Sequence, residues 1–212
     1  MPEFTNLTGY AALERLQEGN RRFVSDEHSV DANMTPLQRS ALVAGQNPFA
    51  IILGCSDSRV PAELVFDQGF GALFVIRVAG NVIAPSQIGS IEFAATRYNT
   101  RLVVVMGHTQ CGAVSATIDE LRHNAQSPSY NLRSIVERIS PAVATLMETP
   151  LRDQPEELMK HAVRANIRMA TSHVRHGSEI LETLIATKGL LVVGAEYSLE
   201  TGQVEFFDIP SP

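Results

Sequence analysis

The chain has 212 residues, 44% of them hydrophobic and 19% charged, a balance that excludes a disordered chain and leaves ample apolar surface for a core. Its 23 acidic and 17 basic residues give a net charge of -6 with no basic run beyond Arg21-Arg22, which argues against nucleic acid or an anionic membrane as partner. Two cysteines 56 positions apart do not make a disulfide framework and are free for chemistry. Met1-Pro2-Glu3-Phe4-Thr5 lacks the basic and apolar regions of a secretory leader, and no apolar run reaches membrane-spanning length. A cytoplasmic protein with reduced thiols is expected.

Residues 9–24 carry Leu13, Leu16 and Phe23 at helical spacing. An irregular stretch with Pro36 follows, then a short helix around Leu37–Ala44, closed by Gly45. Phe49 to Leu53 is short, apolar and bounded by Pro48 and Gly54, the pattern of a fully buried strand. Leu73–Val78 and Leu102–Met106 are two more such runs, and between them Ser86–Tyr98 reads as a helix. Leu132 to Ile185 is helical, with breaks expected at Pro141, Pro150 and Pro155. Leu190–Gly194 is a fourth buried strand, and Val204–Phe207, after Thr201-Gly202, an antiparallel edge. Strand, helix, strand with apolar strands predicts an α/β fold: a mostly parallel central sheet of about four strands flanked by helices, with a C-terminal edge strand. Residues 1–45 are expected to form an N-terminal helical arm belonging to the same single domain as an α/β core at 46–212.

Two strands end alike, in Gly54-Cys55-Ser56-Asp57-Ser58-Arg59 and in Gly107-His108-Thr109-Gln110-Cys111-Gly112. Open α/β sheets bind ligands outside the carboxyl ends of their strands, where the strand order reverses. Each piece has a plain reading, a buried thiol or a histidine at a helix start. Together, two cysteines and a histidine make a zinc set that leaves the fourth coordination position open, as catalytic sites do. Asp57 and Arg59, two residues apart in a tight turn, can bridge. Beside a dication, that partnering decides whether Asp57 is a fourth ligand or an acceptor outside the ligand set.

These paired motifs resemble the β-class carbonic anhydrases. The similarity runs from Gly19-Asn20-Arg21-Arg22-Phe23 through Phe74-Val75-Ile76-Arg77-Val78-Ala79-Gly80-Asn81 to Gly194-Ala195-Glu196-Tyr197. The resemblance implies zinc on Cys55, His108 and Cys111, and an Asp57–Arg59 dyad that orders the nucleophile for reversible hydration of carbon dioxide to bicarbonate. It implies a homodimer or homotetramer with N-terminal helices wrapping the neighbour. Gln46 matches a substrate-bonding glutamine, and Phe74 an apolar wall residue. Phe93 sits where many members have tyrosine and Ala79 where others have valine, and Gly112 joins them as a substrate-side position. A subtype of the family has an inhibitory bicarbonate pocket, which Gly54, Arg77 and Tyr197 match. Its tryptophan is Ile52 here, in a chain with no tryptophan, so weak regulation by bicarbonate is expected. A related zinc hydrolase of carbonyl sulfide or carbon disulfide, or a non-enzymatic zinc module, are the competing functions. Cysteine-phosphatase chemistry needs five residues between cysteine and arginine, where this chain has three.

Overall fold

A computed structural model describes residues 7–28, 36–123, 127 and 129–211. The leader reading at residues 1–5 and the irregular stretch at 29–35 lie outside them. Helix α1 (Gly9–Ser25) starts at Thr8, whose hydroxyl accepts from the Ala11 N–H, and ends at Asp26 in the left-handed region. Then follow α2 (Pro36–Leu42), β1 (Ala50–Gly54), α3 (Ala62–Val65) and β2 (Leu73–Arg77). A 3-10 turn at Ala79–Asn81 leads to α4 (Pro85–Arg97), β3 (Leu102–His108) and α5 (Gly112–His123). The remainder is α6 (Tyr130–Met147), a 3-10 turn at Pro150–Asp153, α7 (Pro155–His176), α8 (Glu179–Lys188), β4 (Leu191–Tyr197) and β5 (Val204–Phe207).

Among the described residues the strands form one five-stranded sheet in the order β2-β1-β3-β4-β5. The first four are parallel and β5 is antiparallel to β4, so the expected parallel core with an edge strand is present. Every residue of β1 and β3 is buried, because both sheet faces are covered. On one face Ile51, Leu53, Val103 and Val105 pack with Ile91 of α4, Ile139 and Val143 of α6, and Ile167 and Val174 of α7. On the other, Ile52, Val104 and Val193 pack with Ala12, Leu13 and Leu16 of α1 and with Phe66. Thus α1 lies on the chain's own sheet, while Leu37 of α2 and Val43 directly after it are more than four-fifths exposed.

The expected break at Pro141 is absent: the proline sits inside α6. It removes one backbone donor, but Ile139 and Val143 on either side are fully buried, and that packing carries the helix through. Helix α5 has no counterpart among the expected elements, although Val114, Ile118 and Leu121 stand at helical spacing. Strands β3 and β4 run two and three residues past the expected ends, carrying His108 and Tyr197 into the ladder as a register pair.

Candidate metal centre

The strand order reverses between β1 and β3: β2 continues on one side of β1, while β3 takes the other. Gly54, the last residue of β1, is in register with Met106 of β3, so Cys55 emerges beside the end of the strand that carries His108. Cys111 follows three residues on, just before α5. The turn between them is held by the Thr109 N–H, which donates to the Tyr197 carbonyl at 3.0 Å, and by the Thr109 hydroxyl, which accepts from the Leu199 N–H at 3.0 Å. Gly107 is required in this strand: a Cβ there would lie 2.6 Å from the Ile167 side chain of α7.

One ligand atom each from Cys55, His108 and Cys111 falls within 4.8 Å of the others, and all three residues are buried. A tetrahedral zinc with sulfur and nitrogen at their usual bond lengths spaces such atoms by about 3.5–4 Å, so the set fits with small adjustments. The histidine is prepared for it. Its Nδ1 lies 2.9 Å from the Thr109 carbonyl, which can only accept, so Nδ1 carries the proton and Nε2 the lone pair. That Nε2 is buried with no hydrogen-bond partner among the described residues, a costly state that a metal ion relieves.

The electrostatics agree. With no metal bound, the Cys55 thiol is drawn down to about 4, chiefly by the hydrogen bond from Cys111, with His108 and the Asp57 and Gly80 N–H groups assisting against burial. Cys111 is pushed far up by that same bond and by burial. The pair therefore sheds one proton readily, and a dication is what removes the second. Burial opposes charge on His108, yet the Cys55 thiolate, the Thr109 carbonyl and Asp57 together raise its pKa.

Asp57 stands next to the Cys55–His108–Cys111 group. Arg59 grips it with a fork, Nε to Oδ1 at 2.9 Å and a terminal nitrogen to Oδ2 at 2.7 Å, and the Arg59 N–H adds a bond to Oδ1 at 3.0 Å. The fork holds Asp57 well below the usual carboxylate range. Its Oδ2 is 3.8 Å from the His108 Nε2. The Asp57 side chain is 17% exposed and the Arg59 side chain 53%, so the dyad forms the wet side of the buried Cys55–His108–Cys111 group.

The carbonic anhydrase family model matches residues 50–204. The chain belongs to the β-carbonic anhydrases. Carbonic anhydrase 2 of Mycobacterium tuberculosis is 37% identical over 203 residues, covering 96% of this chain and 95% of that one. The carbonic anhydrase of Mycolicibacterium smegmatis is 37% identical over 202 residues, with 94% of each chain covered. Among solved structures, the β-carbonic anhydrase CcaA superposes with a TM-score of 0.74 at 24% identity over 94% of this chain and 92% of that one, agreement in fold. The β-carbonic anhydrases are carbonate dehydratases that use zinc, and the Cys55–His108–Cys111 group is where this member could bind it.

The other expected β-carbonic anhydrase positions are placed as follows. Phe74 on β2 is half-buried and stands 6.4 Å from Phe93 and 6.2 Å from Tyr98, ring to ring, while Phe93 on α4 is 51% exposed. The exposed Gln46 donates from Nε2 to the Tyr98 hydroxyl at 3.0 Å, so these four side chains form one cluster. Ala79 stands in the 3-10 turn, and Gly112 opens α5 directly after Cys111, with open space where a Cβ would be. Gly54 ends β1 and accepts from the Val78 N–H at 3.1 Å. The buried Tyr197 has its pKa raised by that burial. Arg77 donates from Nε to the Cys55 carbonyl at 3.0 Å and from a terminal nitrogen to the Asp57 carbonyl, bracing the loop that carries ligand and dyad.

Sequence reasoning missed this brace, the Thr109 carbonyl that sets the histidine tautomer, and the Gly80 N–H, which donates to the Cys55 sulfur at 3.4 Å. The Gly80-Asn81 pair was the available signal, since both residues have positive φ, the conformation those residue types tolerate best.

Proposed function

We propose that the protein hydrates carbon dioxide reversibly to bicarbonate and a proton at a zinc site formed by Cys55, His108 and Cys111. The observation that carries this reading is a buried two-sulfur, one-nitrogen set with an orphaned His108 Nε2, flanked on its wet side by a forked Asp57–Arg59 pair. Bound zinc supplies a Lewis acid that makes hydroxide available near neutral pH.

Asp57, kept ionised by Arg59, accepts a hydrogen bond from the attacking hydroxide and turns its lone pair toward the substrate carbon. A carbon–oxygen bond forms, one carbon–oxygen π bond opens, and the proton released in making hydroxide leaves to solvent. Arg59 restrains Asp57 from taking the fourth ligand position itself. Phe74 and Phe93 supply an apolar wall suited to an uncharged linear substrate, with Ala79, Gly112 and Gln46 completing the substrate side. Gly54, Arg77 and Tyr197 border the position of the bicarbonate pocket, which lacks its indole. Residues 1–45 and 46–212 act as one domain.

A homodimer or homotetramer is part of this reading, supported by the exposed Phe93 and by the exposed Leu37 and Val43. One fold neighbour, from Sordaria macrospora, with TM-score 0.73 and 20% identity, is a tetrameric β-carbonic anhydrase. No described helix is long and apolar enough to cross a membrane. A cytoplasmic location is proposed from the reduced thiols.

Metal analysis of purified protein together with stopped-flow carbon dioxide hydration tests the function. About one zinc per chain is expected, lost together with activity in Cys55→Ser and Cys111→Ser. Full zinc retention in both variants refutes the ligand set, and a zinc-loaded protein that does not hydrate carbon dioxide refutes the activity.

A further inference from the structure

We infer that Asn166, in the middle of α7, is a positioning residue for the Cys55 thiolate, acting through the Gly80 peptide; the inference rests on zinc occupying the Cys55–His108–Cys111 set. The Gly80 N–H donates to the Cys55 sulfur at 3.4 Å. It does so from a turn that a flexible chain would not keep unaided. Gly80 has φ 66° and ψ 20°, and Asn81 follows with φ 45°, two left-handed residues in succession. Glycine occupies that region without strain but leaves it as easily, so something else must fix it.

Two bonds hold the turn. The Asn81 N–H donates to the Val78 carbonyl at 3.0 Å, a local closure. The Gly80 carbonyl accepts from the Asn166 Nδ2 at 2.8 Å, a bond between residues 86 positions apart. Gly80 is thereby gripped on both sides, its N–H on sulfur and its C=O on asparagine.

Asn166 is 1% exposed, on the buried face of α7 among Ala162, Val163, Ile167 and Ala170. An amide in such surroundings is costly unless paired, and its partner here is the Gly80 carbonyl. The post is rigid. Ile167, the next residue, fills the space above Gly107, where a Cβ would meet it at 2.6 Å. The turn is also close-packed, since a Cβ on Gly80 would lie 2.7 Å from the Ile139 Cδ1. An N–H aimed at a ligand sulfur fixes that sulfur's direction and draws off part of its negative charge, so it tunes both hold on the metal and electron donation to it. Among the described residues Asn166 makes no hydrogen bond to Cys55, His108 or Cys111, and its link to the sulfur runs through this peptide.

The test uses the zinc-loaded protein and its cobalt-substituted form. Asn166→Leu removes the donor at similar size, and Asn166→Ala removes it with a smaller side chain should the leucine variant fail to fold. Thr171→Val is the control: Thr171 is equally buried on α7, but its hydroxyl donates only to the Ile167 carbonyl of its own helix, at 2.8 Å. Zinc release to excess chelator and the thiolate-to-cobalt charge-transfer band are measured beside thermal stability. Asn166→Leu or Asn166→Ala should release zinc about 10–100-fold faster and shift the band. Thr171→Val should leave release rate and band unchanged whatever its effect on stability. Parent-like release and band in a folded Asn166 variant overturn the inference, as does equal acceleration in Thr171→Val, which marks general loosening. A parent protein that takes up no zinc refutes instead the metal reading on which the inference rests.

Discussion

The dyad invites a perturbation whose outcome the geometry fixes in advance. In Arg59→Ala the guanidinium fork disappears, while the backbone N–H of residue 59 still donates to the Asp57 Oδ1. The oxygen set free is Oδ2, the one that already faces the His108 Nε2 at 3.8 Å. Nitrogen and oxygen ligands of a tetrahedral zinc stand about 3.4 Å apart, so Oδ2 needs to shift by only about half an ångström relative to the imidazole to become a fourth ligand. A tightly held carboxylate ligand closes the position that the reaction needs. Arg59 is solvent-facing, so its removal should leave global stability near the parent's.

The expected signature therefore has three parts: hydration slowed by a factor on the order of 100, zinc content at the parent level, and zinc release to chelator slower than in the parent. Arg59→Lys should fall between, because a single ammonium cannot reproduce a two-pronged grip. Stopped-flow hydration, elemental analysis and a chelator-release assay read the three. Activity within about threefold of the parent would make the pair an ordinary surface bridge. Loss of zinc would show that Arg59 supports the ligand set instead of guarding its open position.

Bicarbonate should inhibit hydration weakly and without cooperativity, since the Arg77 guanidinium already serves the Cys55 and Asp57 carbonyls and Ile52 is buried in the face against α1. Steep sigmoidal inhibition at constant ionic strength would contradict this. Asn20→Leu should destabilise the fold by about 3 kcal/mol in urea unfolding, because its amide donates to the Val65 and Gly202 carbonyls and accepts from the Val204 N–H. Zinc affinity should stay at the parent value, and a loss below about 1 kcal/mol would show those backbone groups finding water instead. Gly107→Ala, which drives a methyl into the Ile167 side chain, should cost about 1–3 kcal/mol and accelerate zinc release, read by the same two assays.

The sequence announced what depends on residue type and local period. The apolar runs at β1, β3 and β4 are strands buried on both faces, as their type implies. The like run at β2 instead forms an edge strand whose Phe74, Val75 and Ile76 are only half-buried, because edge position is set by topology. Two cysteines with a histidine at strand ends had no simpler joint use than a metal. What it withheld depends on distant parts of the chain meeting. The Arg77 brace and the bond from Asn166 to Gly80 join residues 20 to 86 positions apart, and nothing about an arginine or an asparagine alone says which carbonyl it will meet. Pro141 reads as a helix break because propensity is local, while the burial of Ile139 and Val143 that overrides it is tertiary. Gln46 shows the same limit. The resemblance ties it to substrate, and the fold seats its amide on the Tyr98 hydroxyl, within a cluster that includes both Phe74 and Phe93.

On the proposed function, the placement of these groups would let one site hold a metal firmly and still exchange what lies on its open side. The ligands hang from fully buried strands: His108 is within β3, and Cys55 follows directly on β1, two strands locked in register by parallel pairing. Moving either ligand means breaking a ladder packed on both faces, so the metal position inherits the stiffness of the core. The dyad instead occupies the turn after β1, where Arg59 is half exposed and its grip on Asp57 is made of hydrogen bonds that solvent can replace. Arg77 stands between the two regimes, bonding one carbonyl at the ligand and one at the dyad. If that division of stiffness is correct, Arg77→Ala should act first on the dyad. Hydration should fall by about tenfold or more while zinc stays bound, because the ligand side keeps its strands and the Gly80 N–H. Zinc release measured against hydration rate in that variant decides the matter. Release accelerated as much as hydration is slowed would show that the loop moves as one piece and that the strands do not isolate the ligands from it.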